Sequence, residues 1–207
     1  MRLAILGASG HGKVVADIAL LIGYSDVVFY DDTLSTKSVF GRWPVIGTTE
    51  TLLDSITDFD AAIVGIGDNR IRLEKHILLA NSVAPLVTLV HPAAIVSDLS
   101  QIGIGTVICA GAVVCVDSTL GSGVIVNTNA TVDHDCHLAD GVHIAPGTNL
   151  SGDVHVGENS WIGVGACVKQ GISIGSGVMV GAGSVVVSDI PDNMTVVGNP
   201  ARPIMGK

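Results

Sequence analysis

The stretch Thr131-Val-Asp-His-Asp-Cys136 sets one imidazole between two carboxylates. Acidic neighbours can orient His134 and stabilise its charged form, and a neutral imidazole held in this way takes a proton from an amine or hydroxyl nucleophile near pH 7. Acyl transfer to an amine needs a base of that kind. Asp135 has a second, purely conformational explanation, because it also falls on a series of residues that tolerate left-handed backbone. The remaining histidines are His11, His76, His91, His137, His143 and His155. His137 and His155 sit at a spacing that would stack them, with His143 on the adjoining face, and three imidazoles around an open position suit zinc. Rows of solvated surface histidines explain the same spacing, and no carboxylate-rich surround is evident, so no metal is assigned. Cys109, Cys115, Cys136 and Cys167 contain no C-x-x-C pair and read as reduced, structural residues.

A second group of polar residues lies near the N-terminus. Gly7-Ala-Ser-Gly10-His-Gly12 follows an apolar strand and opens a helix, but its G-x-x-G-x-G order departs from the dinucleotide pattern G-x-G-x-x-G, so NAD is not expected. Small residues there admit a ligand close to the backbone, and the helix N-terminus favours a phosphate. Asp31-Asp32 and Asp68-Asn69-Arg70 close two further strands. Three such ends converge in a parallel sheet, whose ligands lie at the carboxyl ends of its strands. Ordinary turn chemistry and helix caps are the alternative explanation of the same residues.

The elements that carry these groups follow from periodicity. Every sixth residue from Val96 to Val186 is Val, Ile or Leu, and the residue four places later is small or β-branched in nearly every case from Ser100 to Ala166. Both series must point inward. Three places after each aliphatic residue, from Gly105 through Asp117, Asn129, Asp135 and Asp153 to Asp189, stands Gly, Asn or Asp, the residues that accept φ > 0 at corners. Six residues therefore make one short strand and one corner, and three such units close a triangular coil. This gives about five coils from about residue 95 to about residue 190, stacked at ~4.8 Å. An unbroken period extrudes no loop, so groups that grip a substrate must come from a neighbouring subunit or from the other domain. That domain reads as strand Arg2–Leu6, helix Lys13–Leu21, strands Asp26–Tyr30 and Ala61–Ile66, helix Arg70–Ala80 and strand Leu86–Val90, an α/β unit with a parallel sheet. The expected domains are residues 1–91 and 92–207.

Composition excludes some functions. The net charge of −9 repels nucleic acid, and an aromatic content of 3% provides no base-stacking platform. No long apolar stretch suggests a membrane span or a leader, so a cytoplasmic location is expected.

Taken together, GASGHGKVV, the Asp31-Asp32 pair, IGDNRIR, the run from Val126 to Gly163 and the tail VVGNPARPI resemble the bacterial sugar acetyltransferases of the PglD and NeuD type. The resemblance covers nearly the whole chain. It implies a Rossmann-like N-terminal domain followed by a left-handed parallel β-helix, assembled as a homotrimer with acetyl-CoA in the groove between adjacent subunits. It implies His134 as general base and Asp135 as the acidic neighbour, a position held by Glu in some members. Ser9, Gly10, His11, Asp31, Asp32 and Arg70 would then face the nucleotide of the sugar. Asn127 and His143 would lie near the acetyl group and the thioester, and Gly152, Val164 and Gly181 would contact the coenzyme. The implied activity is acetyl-CoA-dependent N-acetylation of the 4-amino group of a UDP-linked 4-amino-4,6-dideoxy sugar, by direct transfer without a metal. A dTDP- or GDP-linked acceptor and O-acetylation of sialic acid remain open. So do a metalloenzyme of the γ-carbonic-anhydrase kind and a non-catalytic nucleotide-sugar-binding protein.

Overall fold

The structure is a computed structural model that describes residues 1–33 and 38–204. The chain forms two compact units, Met1–Pro92 and Ala93–Lys207. In the first, strand β1 (Arg2–Leu6) lies between β2 (Asp26–Tyr30) and β5 (Ala61–Val64) and pairs with both in parallel. Covered on both sides, Leu3, Ala4, Ile5 and Leu6 are buried, which is why this strand reads as an unbroken apolar run. The strand order is β3-β4-β2-β1-β5, with β3 (Ser38–Phe40) and β4 (Trp43–Gly47) forming an antiparallel hairpin at one edge. The chain leaves β1 for β2 on one side and returns as β5 on the other, so a crevice opens beyond the carboxyl end of β1.

The glycines after β1 are required for packing. Gly7 has a φ of 111°, and a side chain at Gly12 would meet the Gly7 carbonyl and come within 2.9 Å of the Phe29 ring. Helix α1 (Gly10–Leu21) can therefore start directly against the sheet. Ser9 caps it, accepting from the Gly12 N–H at 3.3 Å and donating its own hydroxyl to the Gly65 carbonyl at 2.7 Å. Helix α2 (Thr49–Asp54) follows the hairpin, and α3 (Asn69–Ala80) follows β5 with Asp68 as its cap. The hairpin and α2 were not expected from the sequence. The strand expected at Ala61–Ile66 stops at Val64, and the one expected at Leu86–Val90 reduces to Leu89–Val90 with an isolated Ala62–Leu86 bridge.

From Ile95 to Val186 the second unit consists of two-residue strands in three parallel sheets, one for each side of a triangular coil; the three-residue strand Thr195–Val197 and the antiparallel strand Arg202–Pro203 follow. Up to Val186 partners are eighteen residues apart, as in Val113 with Thr131, His137 with His155 and His143 with Trp161. The architecture is the expected left-handed parallel β-helix. Both inward series are buried from Thr106 onward, with Val96, Ser100 and Ile102 of the first coil half-buried, and the left-handed corners run from Gly105 to Gly183. The inward hydroxyls are satisfied by carbonyls of the next coil: Ser118 donates to Asp133 O at 2.7 Å, Thr148 to Gly163 O at 2.8 Å and Ser160 to Gly175 O at 2.7 Å.

The period fails in the last coil, which corrects the expectation for Asp189. Ile190 pairs with Ile174, and Thr195 with Met179, each sixteen residues apart instead of eighteen. The corner is two residues shorter there, so Asp189 is not left-handed; its carboxylate instead accepts from the Ser173 N–H at 2.8 Å. The following corner, stacked on Gly177, keeps a left-handed residue in Asn193, with φ 59°.

If backbone conformation sets the corner residues, Asp117 at φ 59° tests it. Asp117→Ala should lower stability by about 1 kcal/mol and Asp117→Gly should leave it within about 0.5 kcal/mol, as measured by urea unfolding.

Candidate active site

His134 and Asp135 occupy one corner of the solenoid. The left-handed conformation of Asp135 (φ 60°) turns its carboxylate back along the corner, where Oδ2 lies 2.7 Å from His134 Nδ1. The Asp side chain therefore reaches the ring despite being shorter than Glu. The His134 backbone N–H donates to Asp133 Oδ1 at 2.8 Å, and Asp153 stands on the next coil. With the Nδ1 proton held by Asp135, Nε2 carries the lone pair, and the side chain is 56% exposed. The hydrogen bond to Asp135 raises the imidazole pKa above its usual value; desolvation opposes it, and the charges of Asp133, Asp135 and Asp153 add to the rise. Beneath the ring lies Gly152.

Cys136 follows immediately but faces inward. It is fully buried, its thiol donates to the Ser151 carbonyl at 3.3 Å, and burial pushes its pKa up to about 11. A thiol so placed is a poor nucleophile.

Among the other coenzyme candidates, His143 is buried and tilts against Trp161, the residue eighteen places on, with ring centroids 4.4 Å apart. Asn127 Oδ1 accepts from the Thr128 N–H at 2.8 Å, which turns its amide nitrogen toward His143 Nε2 at 3.1 Å. His143 Nε2 is thus the acceptor, and Nδ1 carries the proton. Val164 is exposed, whereas a side chain at Gly181 would collide with Val197 at 2.7 Å, so this glycine admits the last strand of its sheet. His137 and His155 stack at 4.8 Å. Among the described residues no three His, Cys, Asp or Glu side chains converge as metal ligands.

In the α/β unit, a small cavity at the crevice is lined by Gly7, Asp31, Asp32, Ile66, Ile71 and Lys75. The two carboxylates are engaged with the protein. Asp31 accepts from the Ala8 N–H at 2.8 Å and from Thr33, and so ties the glycine turn to the end of β2. Asp32 accepts from Thr49 N at 2.7 Å and from Lys75 Nζ at 2.8 Å. Its partial burial opposes ionisation, but these bonds outweigh it and hold the carboxyl at about 2. The stability it contributes is therefore present above the ordinary carboxyl pKa and lost as pH falls toward 2. His11, the second residue of α1, has a shielded Nε2 without a hydrogen-bond partner; burial, helped by the charge of Arg72, lowers its pKa to about 3 and keeps it neutral. Gly10 borders open space, and Arg70 is exposed on the first turn of α3. Sequence reasoning missed Arg72 and Lys75. Arg72 is buried and donates to Gly67 O at 2.9 Å and Asn69 Oδ1 at 3.0 Å, bracing the loop after β5. Both lie on the face of α3 that follows the Asp68 cap, and that spacing was the available signal.

Residues 2–77 match the PglD N-terminal domain. Across 98% of both chains, the protein is 52% identical, with a TM-score of 0.93, to the acetyltransferase domain of PglB from Neisseria gonorrhoeae FA1090, solved with acetyl coenzyme A. The chain belongs to the PglD-type family of sugar acetyltransferases. A second family member, perosamine N-acetyltransferase from Caulobacter crescentus, is 35% identical over 100% of this chain and 98% of that one, with a TM-score of 0.95; that structure, of a histidine variant, holds CoA and GDP-perosamine. UDP-N-acetylbacillosamine N-acetyltransferase of Bacillus subtilis (strain 168) is 39% identical over 115 residues, and this match spans about half of each chain, 53% of this one and 51% of the relative. Among the described residues no helix is long and apolar enough to cross a membrane.

The Asp135 contact predicts an NMR titration of His134 with a pKa above the usual 6.5, which Asp135→Asn lowers. Because the folded value is raised, the stability from this pair is fully present below the unfolded pKa and disappears as pH rises through the folded one.

Proposed function

We propose that this protein is an acetyl-CoA-dependent N-acetyltransferase acting on the 4-amino group of a UDP-linked 4-amino-4,6-dideoxy sugar, in bacterial glycan biosynthesis. The observation that carries the proposal is the His134–Asp135 pair, 2.7 Å apart, in which the imidazole side chain is 56% exposed. His134 Nε2 takes a proton from the sugar amine as its nitrogen attacks the thioester carbonyl. A C–N bond forms, the C–S bond breaks, and coenzyme A leaves as the thiolate that recovers the proton. Backbone N–H groups of the helix stabilise the oxyanion. No acyl-enzyme intervenes, in keeping with the inward-facing Cys136 thiol.

Asn127 and His143 serve the acetyl group and thioester, and Gly152, Val164 and Gly181 the coenzyme arm. The crevice of the α/β unit, with Ser9, Gly10, His11, Asp31, Asp32 and Arg70 around it, takes the nucleotide. UDP is preferred on similarity to the UDP-N-acetylbacillosamine enzyme, 39% identical over the matched residues against 35% for the relative solved with GDP-perosamine. The solenoid extrudes no loop, so a second copy in a homotrimer supplies the opposite wall of the coenzyme groove.

Incubation with acetyl-CoA and a panel of UDP-, dTDP- and GDP-linked 4-amino sugars plus sialic acid, with free thiol as the readout, tests this reading. Turnover should be greatest on a UDP-linked 4-amino sugar, fall about 10²–10⁴-fold in His134→Ala and persist in Cys136→Ala. A GDP- or dTDP-linked acceptor would correct the nucleotide, and an inactive Cys136→Ala that keeps its fold would overturn direct transfer.

A further inference from the structure

We propose that Gly152 is the seat of the catalytic imidazole: the missing side chain at this position lets the His134 ring come down onto the next coil and reach Asp135, which makes Gly152 a positioning residue for the base. Val116, His134, Gly152 and Gln170 succeed one another in a column down one corner. The register is fixed by the backbone, where Asp135 N donates to Val116 O at 3.3 Å, Asp153 N to His134 O at 2.9 Å and Gly171 N to Gly152 O at 3.0 Å. A side chain at 134 that turns along its own corner toward Asp135 must therefore pass over residue 152. A Cβ placed on Gly152 would lie 2.6 Å from His134 Nε2 and 3.0 Å from Nδ1, and nearer still to Cε1. Separations that short force the ring away, at the expense of the 2.7 Å bond to Asp135.

Backbone conformation at this position does not demand a glycine. The left-handed residue of the corner is Asp153, with φ 57°, whereas Gly152 is not in the left-handed region. The surrounding backbone is clamped from inside by Ser118, which donates to the Asp133 carbonyl at 2.7 Å, and by Cys136, which donates to the Ser151 carbonyl at 3.3 Å. A new methyl group therefore meets a fixed floor, and the exposed ring is the part that moves. Asp133 and Asp135 on its own coil and Asp153 on the next are the charged groups that face the imidazole, and each favours its protonated form. Moving the ring weakens the contact with Asp135 first.

The inference rests on the reading of His134 as the base, but its first test needs no turnover. In Gly152→Ala, labelled with ¹⁵N-histidine and free of coenzyme, the His134 titration should shift down toward the ordinary imidazole range. With acetyl-CoA and acceptor, kcat should fall about tenfold or more, and the acid limb of its pH profile should move down with the NMR value. An unchanged titration would overturn the proposal, as would a loss confined to the KM for acetyl-CoA, which would give Gly152 a coenzyme role alone. His134→Ala with full activity would instead overturn the base assignment and leave the NMR result standing. Should Gly152→Ala not fold, the wild-type protein decides: a nuclear Overhauser contact between His134 Hε1 and the Gly152 α-protons is expected, and its absence contradicts the seat.

Discussion

Corner residues near φ +60° close the coils of the solenoid, and up to Gly183 parallel hydrogen bonding stacks each corner on the one eighteen residues before it. The chemistry depends on that register. It gives Asp135 the backbone conformation that turns its carboxylate onto the imidazole, and it places Gly152 under the ring. A shift of one residue would present Ser151 or Asp153 to His134 instead and would send the inward series to the outside. Buried hydroxyls such as those of Thr148 and Ser160, each bonded to a carbonyl of the next coil, resist such a shift because any other register leaves them unpaired.

The coil was legible because each of its rules is local: an aliphatic residue, a small inward residue and a corner residue in every six. Its last turn was not, because the shortened corner before Ile190 keeps an Asp at the expected place and alters only the spacing. In the α/β unit, β1 and β2 are continuous apolar runs and read correctly to the residue. The hairpin is held by contacts remote in sequence, Phe29 with Phe40 at 5.6 Å between ring centroids and Phe29 with Trp43 at 6.0 Å. Nothing in its own short segments announces them.

The two groups of candidate residues differ in the same way. His134 and Asp135 are adjacent in the chain, so their pairing could be read directly, and Gly152 could be found only by counting one coil onward. The crevice of the α/β unit was legible as a convergence of strand ends, but not in its internal bonding. Ser9 and Asp68 are helix caps, and Asp31 and Asp32 are engaged with Ala8, Thr33, Thr49 and Lys75. Their first role is to shape the crevice, and a ligand entering it meets a wall whose carboxylates are already bonded. The position of Lys75 matters for the same reason, since it sets the charge beside Asp32.

The pH dependence of kcat/KM, in the wild type and in Asp135→Asn, tests the central claim most directly. If His134 held by Asp135 is the base, the wild-type activity falls on the acid side with the pKa that NMR assigns to His134. In Asp135→Asn that limb moves to lower pH, and the plateau drops. An acid limb that stays in place when Asp135 is neutralised would contradict the account.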